Sequence, residues 1–128
     1  MPLNIPAIEA TIKTLEAVPN AKFSMCHWGE RGASEHTCRT TACISGWLVL
    51  SPDHPDITDG YRSDLYPRHK PSGIAGAEGL GVYLGLKTIV AYEIFLEGRL
   101  GKQPIKTPRG AVAAFRRILR NPSKYEAL

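Results

Sequence analysis

Apolar side chains recur at helical spacing over residues 6–18, where Ile8, Thr11, Ile12, Leu15 and Val18 share one arc and Glu9, Lys13 and Glu16 lie opposite. That 3.6-residue period predicts an amphipathic helix with one buried stripe. Asn4 and Pro6 suit its start, and Pro19-Asn20 its end. Residues 21–28 alternate Phe23, Met25 and His27 with Ser24 and Cys26, a short extended segment, and the polar stretch 29–37 is a loop by composition. From Thr41 to Leu50 the run is apolar nearly all round a helical wheel, which predicts a buried central helix capped by Thr40 or Thr41 and ended by Ser51-Pro52. Gly46 within it is a close-packing position.

Residues 51–73 break the pattern. They hold Pro52, Pro55, Pro67 and Pro71 with Asp53, Asp56, Asp59 and Asp64 and show no sustained period, which predicts a long loop. The aspartates lack the ligand spacing and the final Glu of a calcium loop. Two further helices are predicted at 74–84 and 88–96, with Gly85 as C-cap of the first and Thr88 as N-cap of the second. The glycines at 79, 81 and 85 imitate dinucleotide and phosphate loops, but no buried strand leads into them, and close helix packing accounts for them better. Thr107-Pro108 opens a last helix with Ala111, Val112, Phe115, Ile118 and Leu119 on its apolar face, and Asn121-Pro122 leaves a short tail over 121–128.

These elements add up to an all-α single domain over 1–128, about five helices with one buried in the middle. A chain of 128 residues, 43% hydrophobic, is long enough to close one core. No apolar run reaches the ~20 residues of a membrane span, and the start lacks the basic and apolar regions of a secretion signal, so the expected setting is the cytoplasm, without membrane partners.

Charge changes the picture more than composition does. Residues 99–128 carry a net +7 and the rest −3, from a total of +4. Arg109, Arg116 and Arg120 line one side of the last helix, with Arg117 beyond them. These four arginines are the candidate partner-binding residues, and the partner expected is an anionic macromolecule, a nucleic acid or an acidic protein surface. No aromatic is interleaved with them, so base stacking on a single strand is not suggested.

The other candidate chemistry lies in Cys38-Arg39-Thr40-Thr41-Ala42-Cys43-Ile44-Ser45-Gly46-Trp47. Cys26, His27, His36, Cys38 and Cys43 offer thiol and imidazole groups, but their irregular spacing is not that of paired zinc knuckles, and no cofactor is expected. A Cys38–Cys43 disulfide requires Cys38 to fold back over the first helical turn. Cys38 near a helix N-terminus is better placed as a thiolate than Cys43 in the apolar run. Cys43 packed in the core, with Cys38 fastening the loop to the helix, is the remaining reading.

Phe23-x-Met25-x-x-Trp28, Cys38-x-Thr40-x-x-Cys43-Ile44-x-Gly46-Trp47, Leu84-Gly85-Leu86, Ile94-Phe95 and Thr107-Pro108-x-x-Ala111 together resemble a loose family of short uncharacterised proteins of bacteria and their phages. In that family the cysteine block usually runs Cys-Gly-Thr-x-x-Cys, and here Arg39 takes the glycine place. Cys26, His27 and His36 are outside the pattern. The resemblance implies a small helical accessory protein and brings no activity with it. The expected function is therefore a non-enzymatic binding protein of bacterial or phage origin, such as a phage inhibitor of host defence, the alternative being a thiol or metal-binding protein built on Cys38 and Cys43.

Overall fold

The computed structural model describes residues 2–23, 43–59 and 66–127. Helix α1 (Ile5–Glu16) starts where Asn4 predicts, with the Asn4 side-chain oxygen accepting from the Ala7 N–H at 3.3 Å. Its stripe of Ile8, Thr11, Ile12 and Leu15 is buried, and Val18 follows it into the core. Helix α5 (Pro108–Arg120) is the other strongly amphipathic element. Thr107 accepts from the Gly110 N–H at 3.0 Å, Pro108 fills the first turn, and Ala111, Val112, Phe115 and Ile118 are buried. The two helices form the most extensive pairing among the described elements. Each large apolar side chain fully buried there contributes roughly 1.5–3 kcal/mol.

The all-α expectation is overturned by two small antiparallel sheets. Strands β1 (Ile57–Asp59), β2 (Pro67–His69) and β3 (Ile74–Ala75) lie where a long loop and a helix start are predicted. The register pairs Ile57 with His69, Asp59 with Pro67, His69 with Ile74 and Arg68 with Ala75. Pro67 is tolerated because it opens its strand. Buried Pro67, exposed Arg68 and buried His69 do alternate, but over too few residues to register as a period. The second sheet is a hairpin, β4 (Arg99–Leu100) and β5 (Gln103–Pro104), turning at Gly101 with φ +61°.

Helix α2 (Ile44–Leu50) is shorter than predicted. Cys43 occupies its N-cap position in place of Thr40 or Thr41, which lie outside the described residues. It is not buried all round: Trp47 and Val49 are half-buried and Leu50 is exposed. Helix α3 (Gly76–Leu84) packs on β2 and on α4 (Thr88–Tyr92), which continues into a π-turn over Glu93–Glu97. Lys87, not Thr88, holds the N-cap position of α4. The close-packing account of the glycines fits Gly81, where an added Cβ would stand 3.0 Å from the Ala91 methyl. Gly85 ends α3 in the left-handed region at φ +75°, and an added Cβ would also meet the Pro2 carbonyl.

The predicted tail is instead a docked element. Helix α6 (Pro122–Tyr125) buries Tyr125, whose carbonyl accepts from the Lys87 N–H at 2.9 Å. The Ala127 N–H donates to Gly85 at 2.9 Å, one residue beyond the point where the Asn4 N–H donates to Leu84 at 2.9 Å. No described helix is long and apolar enough to cross a membrane.

Candidate functional site

Eleven residues separate Arg109 from Arg120, three helical turns and about 20°. Arg109, Ala113, Arg116 and Arg120 therefore form one stripe along α5, and all four are exposed. The structure divides the four predicted arginines by what they touch. Arg116 reaches across to α1, where its Nη2 donates to Glu16 Oε2 at 2.9 Å, both side chains being about half exposed. Arg117 turns to the other side, donating from Nη2 to the Leu100 carbonyl at 3.1 Å and so clasping the β4–β5 hairpin to the helix. Arg109 and Arg120 have no hydrogen-bond or ion-pair partner among the described residues.

Two clefts flank the stripe. One, of about 310 Å³, lies between α1 and α5 and is lined by Glu16, Asn20, Arg109, Val112 and Arg116 among others. The other, of about 280 Å³, lies between α5 and the hairpin and includes Gln103, Arg117 and Arg120. Lys102 and Lys106, exposed beside the hairpin, also lack a partner among the described residues. Arg99, at the start of β4, is paired with Glu97 at 2.6 Å and Glu93 at 3.6 Å from the preceding π-turn. The exposed large hydrophobics, Ile5, Leu50, Ile89, Tyr92 and Leu96, all lie on other helices or at their ends.

No family model, no curated protein and no solved structure matches this chain.

The cysteine block lies only in part within the described residues. Cys38, Arg39 and Thr40, with Cys26, His27 and His36, lie outside the described residues. Cys43 is a buried free thiol whose pKa burial pushes up, so it stays protonated where a nucleophile or metal ligand needs a thiolate. Gly46 is buried, and Trp47 donates its indole N–H to the Lys22 carbonyl at 3.1 Å, tying α2 to the turn after α1. Among the described residues, no group of three His, Cys, Asp or Glu side chains is placed to hold a metal.

A polar cluster that the sequence analysis does not single out sits inside the core. Thr14 Oγ1 donates to the Ala10 carbonyl at 2.9 Å, lies 3.3 Å from Ser51 Oγ and 3.0 Å from His54 Nε2. With its proton on Ala10, Thr14 accepts from His54 Nε2–H, which leaves Nδ1 to accept from the Tyr83 hydroxyl at 2.7 Å. His69 stacks at a tilt on Tyr83, 5.7 Å between ring centres, and contacts Ser72 Oγ through Nδ1 at 2.8 Å. Burial lowers the pKa of both histidines, and burial followed by the Asp56 carboxylate pushes the Tyr83 phenol up to about 12. Every group in the Ser51–Thr14–His54–Tyr83 chain is satisfied internally, which makes it a fastener between α1, the end of α2 and α3 rather than an open site. The sequence does not single out Thr14, since Thr11, buried on the same helix, bonds the Ala7 carbonyl in the same way as Thr14 bonds Ala10.

Proposed function

We propose that this chain is a non-enzymatic binding protein, of bacterial or phage origin, that engages an anionic partner through the exposed stripe of α5. A phage protein that occupies part of a host nucleic-acid machine is the setting that suits this size and charge. The reading is carried by one observation: Arg109 and Arg120 stand exposed on the same helix face without any carboxylate partner among the described residues. Arg116 lies between them and, among the described residues, is held by an exposed ion pair, of the kind worth about 0–1 kcal/mol. Arg117 supports the face from behind by fixing the hairpin and is not counted in the binding set.

The test is retention on an anionic matrix such as heparin. The wild-type chain is expected to bind at low salt and elute with increasing salt, and the triple variant Arg109→Glu, Arg116→Glu, Arg120→Glu to flow through with its fold intact by circular dichroism. Equal retention of the two proteins would remove α5 as the binding face.

A further inference from the structure

The surroundings of the stripe narrow the partner, and the Glu16 contact points to a control on it. A protein partner is normally held by buried aromatic or aliphatic anchors inside a polar rim. Around α5 the exposed face offers Ala113 between arginines and, among the described residues, no large apolar side chain, since those that are exposed lie elsewhere. Nucleic-acid interfaces are more polar and far more positive than protein ones. The side chains are arginines, whose planar fork matches phosphate oxygens. Their Cα atoms span about 16 Å along the helix, long enough to meet several phosphates of one strand. With no aromatic among them to stack on bases, the form met is the backbone of a duplex.

Glu16 sits inside this surface. Its carboxylate occupies Arg116 in the cleft that Arg109 also lines, and the position it takes beside the guanidinium is the one an incoming phosphate oxygen would take. We propose that the α5 stripe holds the phosphodiester backbone of duplex nucleic acid through Arg109, Arg116 and Arg120, with Glu16 as a built-in competitor that a phosphate displaces from Arg116. This rests on the anionic-partner reading above. The bound phosphate recruits Arg116 only by breaking the Glu16 contact, so the stripe binds more weakly than its charge alone dictates.

Fluorescence anisotropy of a short labelled duplex, titrated with the full chain over a range of salt, tests both parts. For the wild type, log K against log salt is expected to fall with a slope near −3, about −0.9 for each phosphate neutralised. Arg109→Gln and Arg120→Gln each reduce that slope by about one. Glu16→Gln, isosteric but uncharged, tightens binding about two- to five-fold at low salt, the range expected for releasing an exposed ion pair. Lys70→Gln, which removes one charge from the turn after β2, leaves the slope unchanged.

Unchanged affinity in Glu16→Gln, with duplex binding otherwise as described, overturns the competitor role and leaves the duplex partner standing. Failure to bind duplex at low salt, with poly-glutamate bound in the same assay, overturns the nucleic-acid partner in favour of an acidic protein surface while the anionic-partner reading survives. Binding to neither overturns both.

Discussion

His54 shows how a single buried side chain ties stability to pH. Its neutral form accepts from Tyr83 and donates to Thr14, and a second ring proton would reverse the Tyr83 contact and turn the phenol O–H away from its acceptor. Burial lowers its pKa in the fold, as it does for His69, below the value of about 6.5 expected in the unfolded chain. The unfolded state thus takes up protons first as pH falls. The stability associated with these neutral rings is complete above pH ~6.5 and is lost as pH drops from there through the folded-state pKa values. Urea unfolding followed from neutral to mildly acidic pH should show a falling midpoint, and a flat profile would contradict the burial assigned to both rings. Tyr83→Phe removes the hydroxyl and leaves His54 Nδ1 without a donor, at a cost of about 1–3 kcal/mol in the same assay at neutral pH. Gly85→Ala combines a left-handed backbone with a methyl directed at the Pro2 carbonyl, and is expected to lower stability by about 2–5 kcal/mol in thermal or urea unfolding.

At the scale of elements, what the chain announces depends on length. Helices α1 and α5, of 12 and 13 residues, run for over three turns, so their stripes repeat often enough to stand out, and Asn4, Thr107 and Pro108 mark their starts. Strands of two or three residues never complete a period, and β1 to β3 are further hidden among prolines and aspartates that ordinarily mark loops. The hairpin is signalled by Gly101, whose carbonyl accepts from Arg99 within the hairpin, and it is held from outside by Glu93, which accepts from the Gly101 N–H, and by Arg117. The site is legible to the same extent. Spacing alone aligns Arg109, Arg116 and Arg120, but that Arg116 is held by Glu16, a hundred positions earlier, and that Arg117 belongs to the hairpin are matters of tertiary packing. Arg117→Ala is expected to speed amide hydrogen exchange at Leu100 to Gln103 while α5 stays protected, with a global cost of about 0.5–1.5 kcal/mol. Equal exchange in the two proteins would mean that the Glu93 and Arg99 contacts at Gly101 hold the hairpin without Arg117.

For the molecule as a whole, the segment after α5 is part of the core. Tyr125 is 6% exposed and its backbone holds the start of α4, so Tyr125→Ala should cost about 3 kcal/mol, measured by thermal unfolding, where an unstructured tail would give no change. The turn at Leu84 and Gly85 receives one hydrogen bond from Asn4 and another from Ala127, which places the first and last described stretches on consecutive residues of one loop. Topologically residues 4–127 are then close to a ring, sealed at that turn. A permuted chain, with these two stretches joined by a short flexible linker and new ends cut at the Gly101–Lys102 turn, should reach the same fold. A ribosome making residues in the original order must let residue 127 emerge before the seal can close, so the last steps of folding wait on the segment that follows α5.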